Sequence, residues 1–443
     1  MKHLHPFGWR TLAIVISLGT IGVVGCSAIP SSSNASPIAL PVESPIALPV
    51  ESPVVPTPRS APTLRRTPLL KAIDPALTQA QTQFSLNLFA DLQKESPDKN
   101  LFISPSSIAL ALAMTYNGAD GETRSAMAKT LHIDDLSIAQ LNAANKKLYE
   151  ALEYPDSGVE LKIANAIWAN QGIDFKPDFL RSNQNFYNAK AETLDFKNPV
   201  SLNVMNNWVK RNTNGKIDTI VDRLTGDERL FLMNATYFKG AWTRPFGKAQ
   251  TKPQPFTTPT GQKTVPMMYQ WGGHRYLETD EFQAVSLPYG KRRLSLYVFL
   301  PKAGTTIAQL TTRLNPKNWD TWMTQFSNQD GSVEIPRFKL QYDVDLKSTL
   351  TRLGMGIAFT PKADFSNLAD GPNAIGSVRH KTFIDVNESG TEAAAVTSIG
   401  IVATSSRPIV EPFNFKADRP FLCALRDNQT GAILFMGAIV NPE

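Results

Sequence analysis

Residues Asn387–Thr397 read N-E-S-G-T-E-A-A-A-V-T, and about a dozen mostly small, uncharged residues follow them. With few large apolar side chains to anchor it, this stretch suits an exposed loop. In a strand, alternate residues share one face, and here that face collects only small side chains: Thr391, Ala393, Ala395 and Thr397. Side chains of this size enter a packed sheet without overpacking it. Because Gly390 supplies a backbone pivot, the segment suits both an exposed loop and an inserted strand.

The same residues also allow an Ala-rich helix. Thr391–Ala395 has good local helix propensity, and propensity alone does not separate a helix from a loop that becomes a strand. The surroundings of the segment decide between the two.

Several stretches between Leu77 and Glu443 occur in an order typical of one family. They are N-L-F-I-S-P-S-S-I at Asn100–Ile108, L-M-N-A-T-Y-F-K-G-A-W at Leu232–Trp242, P-M-M at Pro266–Met268, L-P-Y-G at Leu287–Gly290, V-E-I-P-R-F at Val333–Phe338, F-K-A-D-R-P-F at Phe415–Phe421, and Gly437. This collinear set resembles the serpins, a family of serine protease inhibitors. The segment Asn387–Thr397 lies where that family carries the hinge of its reactive-centre loop. The resemblance implies an α+β serpin fold: helices packed on a large, mostly antiparallel main sheet, with further sheets and an exposed reactive-centre loop.

The spacing of apolar residues agrees with an α+β fold. The predicted helices are Gln79–Leu92, Ser106–Asn117 and Leu202–Asn214. The predicted strands are Ser295–Leu300, Val333–Leu340 and Leu422–Ala424. Strands that follow helices, rather than alternate with them, are typical of this class.

The family's mechanism implies a covalent, single-use inhibitor rather than an enzyme. A target serine protease attacks the loop as a substrate and forms an acyl-enzyme, and the cleaved loop then enters the main sheet as a new strand. The resemblance assigns the hinge to Glu388, Gly390, Thr391, Glu392, Ala393, Ala394, Ala395, Val396 and Thr397. Val396 departs from the alanine that is commoner at its position.

The family's spacing from Gly390 places the scissile bond at Thr404–Ser405. The stretch that follows is longer than in many members, which leaves three alternatives for the cut: Val402, Ala403 and Arg407. Residues 389–412 include no aromatic side chain, which argues against chymotrypsin-like targets. A small residue at the cut suits the small pocket of elastase-like or subtilisin-like enzymes.

The resemblance also assigns a buried polar cluster beneath the main sheet to Ser104, Ser107, Asn234 and His380. Buried polar groups must be paired, so such a cluster can fasten two strands and exchange partners when they separate. Trp242, like Glu388, matches the top of the sheet, where insertion begins.

Catalytic and metal sites are not indicated. Apart from the first few residues, the histidines are His132, His274 and His380, and none has the spacing of a metal-ligand pair. No G-x-S-x-G segment is present. The sequence therefore predicts no catalytic residue, no metal and no cofactor.

The N-terminus has an organisation of its own. Residues 1–25 have a basic start and a short apolar run, which predicts a signal peptide rather than a membrane span. V-V-G-C at Val23–Cys26 resembles a bacterial lipobox with Cys26 as the lipid-attachment residue; the alternative is an ordinary signal peptide cut elsewhere. Residues 26–74 are rich in Pro, Ser and Ala and repeat S-P-I-A-L-P-V-E, which predicts an extended, disordered tether. Residues 75–443 form the predicted serpin domain.

These features predict the partners and the location of the protein. We expect secretion across the cytoplasmic membrane and a lipid anchor on a membrane that faces the periplasm or the cell exterior. The expected partners are a serine protease, bound covalently, and that membrane. The formal net charge is +6 but basic runs are few, which predicts no nucleic-acid site. Cys423 has no disulfide partner once Cys26 carries lipid, and we expect a monomer.

Two alternative functions remain open at this point. One is a serpin fold that binds a partner or acts as a chaperone without inhibiting a protease. The other is a lipid-tethered surface protein whose partner is not a protease.

Overall fold

A computed structural model describes residues 73–153, 155–156, 158–391 and 411–442 of the chain. The signal peptide, Cys26 and most of the tether lie outside these residues. So do residues 392–410, which include most of the predicted hinge and the predicted scissile bond.

Helices fill much of the first half of the described chain. They are α1 Pro75–Glu95, α2 Pro105–Tyr116, α3 Gly121–Leu131, α4 Ile138–Glu153, α5 Pro177–Tyr187, α6 Pro199–Asn212, α7 Ile307–Thr312, α8 Pro316–Gln325 and α9 Lys347–Leu350. Several begin with proline, whose missing N–H belongs to a position without an intrahelical partner. The three predicted helices correspond to α1, α2 and α6. Every residue of α2 is buried, so this helix lies inside the molecule.

The strands are β1 Leu101–Ile103, β2 Val159–Asn170, β3 Lys190–Leu194, β4 Leu230–Ala241, β5 Lys252–Thr258, β6 Gly261–Glu278, β7 Phe282–Pro288, β8 Leu294–Pro301, β9 Ser327–Pro336, β10 Phe338–Asp345, β11 Ile375–Asn387, β12 Gly390–Thr391, β13 Phe413–Lys416, β14 Phe421–Asp427 and β15 Ile433–Ile439. The main sheet has the order β10-β11-β12-β4-β2-β3. Its neighbours are antiparallel except for two parallel pairs, β11 with β4 and β2 with β3. The expected α+β fold with a mostly antiparallel main sheet is confirmed.

A second, larger sheet has the order β1-β15-β14-β8-β7-β6-β9-β13, with β5 paired to β6. Two of the predicted strands fall within β8 and β14. The third predicted segment, Val333–Leu340, is extended as expected but divides between two strands, β9 and β10, which lie in different sheets. Pro336 ends β9 and has no N–H with which to continue a ladder. The N–H of Arg337 still donates to the carbonyl of Pro266 in β6 at 2.9 Å, and β10 then begins in the main sheet.

The apolar side chains of β4 alternate between a large core and a smaller one. The large core takes Leu230, Leu232 and Phe238. The smaller core takes Phe231, Met233, Ala235 and Tyr237, together with Trp208 of α6. Asn234 and Thr236 occupy the positions that face the large core, where both contact Ser107 of α2. In the described part of the chain, no helix combines the length and apolar character that a membrane span requires.

Candidate functional site

The start of the predicted hinge lies at the centre of the main sheet. Gly390 and Thr391 form β12, which lies between β11 and β4 and is antiparallel to both. Beyond the end of β12 its two neighbours, β11 and β4, pair directly and in parallel, from Ile375 opposite Leu230 to Phe383 opposite Tyr237. We call this direct pairing the seam. A strand that continued from Thr391 in the direction of β12 would have to part the seam.

Gly390 lies in a space that admits no side chain. Its φ is +146°, a region that L-residues rarely adopt. A Cβ on this residue would lie 2.1 Å from the carbonyl oxygen of Gly240 in β4. The glycine therefore allows the hinge backbone to approach β4 closely enough to pair with it.

Thr391 is anchored by a stack of aromatic rings. Its side chain is fully buried, and its Oγ1 lies 2.7 Å from the Oη of Tyr289. The Tyr289 ring stacks on Trp242 with centroids 4.2 Å apart. Trp242 also anchors the turn that precedes Gly390. Its Nε1 donates to the carbonyl of Asn387 at 2.9 Å, and its backbone N–H donates to the carbonyl of Ser389 at 3.1 Å. Burial raises the pKa of Tyr289, so its hydroxyl stays protonated.

Glu388 is a buried carboxylate beside the same turn. Its side chain accepts hydrogen bonds from Arg337 Nε at 2.8 and 2.9 Å, and also from Arg337 Nη2 and the hydroxyl of Thr251. Burial opposes ionisation, but these hydrogen bonds outweigh it and lower the pKa of Glu388 below its ordinary value. The ion pair joins the hinge to Arg337, the residue at which the chain passes from the second sheet to the main sheet. Arg337 lies in the V-E-I-P-R-F motif, which was the only sequence signal for this partner.

His380 bridges the seam from β11. The ring is fully buried; its Nε2 lies 3.0 Å from the backbone N of Ser104 and its Nδ1 lies 2.6 Å from Asn234 Oδ1. A backbone N–H can only donate, so Nε2 accepts and the proton resides on Nδ1, which donates to Asn234. Burial lowers the pKa of His380 to about 3, so the ring is neutral at physiological pH.

The polar cluster continues from Asn234 to neighbouring elements. Asn234 Oδ1 also accepts from Ser107 Oγ at 2.8 Å, and Asn234 Nδ2 donates to Asn165 Oδ1 in β2 at 2.5 Å. Thr236 Oγ1 donates to Ser107 Oγ at 2.7 Å. The structure thus brings together Ser104, Ser107, Asn234 and His380, the four residues that the sequence grouped. It adds Asn165 and Thr236, of which only Thr236 had a signal, because it lies in the same motif as Asn234.

These groups join neighbouring strands through hydrogen bonds and do not have the chemistry of a catalytic centre. His380 and Tyr289 are held in one protonation state by burial. Cys423 is buried, and burial raises the pKa of its thiol to about 12, which suppresses the reactive thiolate. Within the described ranges, no group of three or more His, Cys, Asp or Glu side chains has the geometry to hold a metal ion.

The remaining predicted site residues lie outside the described residues, so the assignments made for them stay predictions. They are Glu392, Ala393, Ala394, Ala395, Val396 and Thr397 of the hinge, Thr404 and Ser405 at the scissile bond, and Cys26.

The chain belongs to the serpin family. The sequence profile of the family described as Serpin (serine protease inhibitor) matches residues 79–442. Members of this family are mostly protease inhibitors rather than catalysts.

Similar proteins agree with this assignment along most of the chain. An uncharacterised serpin-like protein of Thermococcus kodakarensis is 34% identical over 385 residues, which cover 86% of this chain and 89% of that protein. The human leukocyte elastase inhibitor is 36% identical over 385 residues, covering 83% and 99% respectively. The crystal structure of the thermophilic serpin tengpin in its native state matches with a TM-score of 0.76 and 33% identity, over 83% of this chain and 95% of tengpin.

Proposed function

We propose that the protein traps a serine protease in a covalent complex. The serine hydroxyl of the protease forms an ester with the carbonyl carbon of the cleaved loop residue, and the amine of the next residue leaves. The loop, still joined to the protease, inserts into the seam before water hydrolyses the ester. About fifteen inserted residues at ~3.3 Å each carry the protease roughly 50 Å, and its active site is distorted by the displacement.

The arrangement of β11, β12 and β4 is the observation that carries this proposal. Because β11 and β4 are parallel to each other, one strand between them can be antiparallel to both, as β12 already is. Insertion would replace one parallel ladder by two antiparallel ladders, and antiparallel pairing is slightly more stable per residue. The gain in main-chain hydrogen bonds supplies the driving force.

The cluster around His380 would regulate the opening of the seam. The bond from His380 Nδ1 to Asn234 Oδ1 joins β11 to β4, so an inserting strand must part these two side chains. Asn234 keeps its contacts with Ser107 and Asn165, neither of which lies on β11. The cluster can therefore release β11 without leaving Asn234 unpaired.

We infer that the cut falls at Thr404–Ser405 and that the target is an elastase-like or subtilisin-like enzyme. The small residue before the bond suits the narrow pocket of such enzymes. The similarity to a protein named leukocyte elastase inhibitor supports the same class of target.

The test is incubation of the purified protein with elastase-like and subtilisin-like proteases, followed by a denaturing gel. We expect a band that resists heat and detergent and has the summed mass of the two proteins less the C-terminal peptide released by the cut. A protease whose catalytic serine is blocked is the matched control and should give no such band. Loop cleavage without a stable complex would instead show a serpin fold that does not inhibit. No cleavage by any protease of the panel would favour a surface protein with another kind of partner.

We further propose a lipoprotein in three parts: a signal peptide at 1–25, the lipidated Cys26 with a tether to residue 74, and the serpin domain from residue 75. A tether of nearly fifty residues at ~3.1 Å each could reach on the order of 100 Å from a membrane. In a bacterial host, Cys26→Ser should move the protein from the membrane fraction to the soluble fraction. Cys423→Ser is the matched control, since that thiol is buried, and should leave the protein on the membrane.

A further inference from the structure

A cavity of about 410 Å³ is lined in part by Trp242, the residue that donates to the carbonyls of the hinge turn. Its lining includes Trp242 and Thr243, where the chain leaves β4, and Gln270, Gly273, His274 and Arg275 of β6. Trp242 donates to the carbonyl of Asn387 from its side chain and to that of Ser389 from its backbone, so this one residue contacts both the cavity and the hinge turn.

The cavity is lined by positive charge without a matching negative charge. Arg244, Arg275 and Arg292 line it, and its described lining includes no aspartate or glutamate. In the described part of the chain, neither Arg244 nor Arg292 forms a salt bridge. Burial, and then the charge of Arg292, lower the pKa of Arg244, while Asp330 opposes this from beyond salt-bridge distance. Two cations that repel each other across a cavity mark a position for an anion.

Neutral groups hold Arg244 in place. Its Nε donates to Gln270 Oε1 at 2.8 Å, and one Nη lies 2.6 Å from His274 Nε2. A guanidinium only donates, so His274 accepts with a neutral ring, and burial together with the charge of Arg244 lowers the pKa of His274 to about 3. Gly272, with φ +144°, makes room for this arrangement, because a Cβ there would lie 2.4 Å from Arg244 Nη1.

Hydroxyl groups complete the lining. Ser286 and Ser295 are buried and line the cavity. Ser295 Oγ accepts from Asn428 Nδ2 at 2.9 Å and so has its own proton available. Arginines with free N–H groups and nearby hydroxyl donors match the oxygen atoms of a tetrahedral oxyanion.

We propose that this cavity binds a small oxyanion ligand, a phosphate or sulfate group, with Arg244 and Arg292 as its charge partners. The contacts that define the site lie within the described residues and do not depend on protease trapping. Its neighbour Trp242 couples it to the hinge turn, so an occupied cavity holds the segment after β4 more firmly.

Calorimetric titration of the full chain with inorganic pyrophosphate, and separately with inorganic sulfate, tests the site at constant ionic strength. Arg292 is exposed, so Arg292→Gln should fold normally and weaken pyrophosphate binding about tenfold or more, the loss expected for one charge-assisted contact. Lys291→Gln removes an equal charge from the adjacent residue, which does not line the cavity, and should change the affinity by less than about twofold. Equal weakening by both variants, or no binding of either anion by the wild-type chain, would overturn the proposal.

Hydrogen exchange locates the bound anion without any substitution. The N–H groups of Trp242 and Phe246 donate to the carbonyls of Ser389 and Glu388. Saturating pyrophosphate should slow exchange in peptides that cover residues 241–247. Protection that appears only elsewhere, for example around Lys146 and Lys147 of α4, would place the anion outside the cavity and refute the assignment.

Discussion

Lowering the pH from about 7.5 to about 5 should destabilise the folded protein through His380, and the size of the effect follows from its burial. The pKa of this imidazole is about 3 in the folded protein, against an ordinary value of 6.5. The unfolded chain therefore binds the proton more readily than the folded protein does. The contribution of His380 to the free energy of unfolding is fully present above pH 6.5, decreases as the pH drops below that value, and stops decreasing near pH 3.

The expected loss at pH 5 is about 2 kcal/mol, since pH 5 lies about 1.5 units below 6.5 and each unit is worth ~1.4 kcal/mol. This loss depends little on the pKa of His380 in the folded protein, because pH 5 is still well above that pKa. A protonated ring would also turn Nε2 into a donor that faces the N–H of Ser104, so acid acts directly on the seam.

Urea unfolding curves at both pH values, for the wild type and for His380→Gln, measure this contribution. Glutamine keeps one acceptor for Ser104 and one donor for Asn234 but has no proton to gain. His274, whose pKa is lowered in the same way, contributes equally to both proteins and cancels. The wild type should lose about 2 kcal/mol more than the variant between the two pH values. Equal losses in the free energy of unfolding for the two proteins would show that no neutral, buried imidazole lies across the seam.

Two further predictions concern the loop. Thr391→Arg should convert the protein from an inhibitor to a substrate, because a charge is not tolerated at the fully buried position that Thr391 already occupies in β12, and the strand that continues from it into the seam loses its anchor. Thr391→Ser keeps the hydroxyl bonded to Tyr289 and should still trap protease on a denaturing gel. Undiminished trapping by the arginine variant would count against the inward position of this side chain. Thr404→Arg should shift inhibition towards trypsin-like enzymes by several kcal/mol of discrimination, about 100-fold or more in rate, whereas Arg407→Ala should change inhibition of elastase-like targets little. Mass spectrometry of the peptide released from the denatured complex checks the position of the cut: a peptide that begins at Ser405 agrees with it, and one that begins at Pro408 would make Arg407 the determinant.

The sequence predicted which residues lie at the seam better than it predicted which distant residues contact them. The resemblance to the serpins grouped Ser104, Ser107, Asn234 and His380, and the structure places each within hydrogen-bond distance of another member of the group. Ser104, Ser107 and Asn234 lie in two of the family motifs, where they are buried polar residues among apolar neighbours. Thr391 likewise was predicted to lie on the face that enters the sheet, and its side chain is buried there.

Contacts between distant segments were not predictable from the residues alone. Arg337 and Glu388 are 51 positions apart, and Tyr289 and Thr391 are 102 positions apart. Which residues meet depends on the register of several strands, and a register is fixed only when the whole sheet has formed. The break at Pro336 was missed although the alternation of apolar residues changes phase there, from Val333 and Ile335 to Phe338 and Leu340, as the chain changes sheets.

The most direct test of strand insertion is the melting temperature before and after loop cleavage. A protease that cuts within residues 399–407 leaves both fragments of the chain associated, and the cut loop is then free to enter the seam. The melting temperature should rise by roughly tens of degrees, because an added central strand contributes ladder bonds and burial. Removal of the tether by cleavage before residue 73 is the control and should leave the melt unchanged. A loop-cleaved protein that melts at the same temperature as the intact one would show that the loop does not insert as a strand.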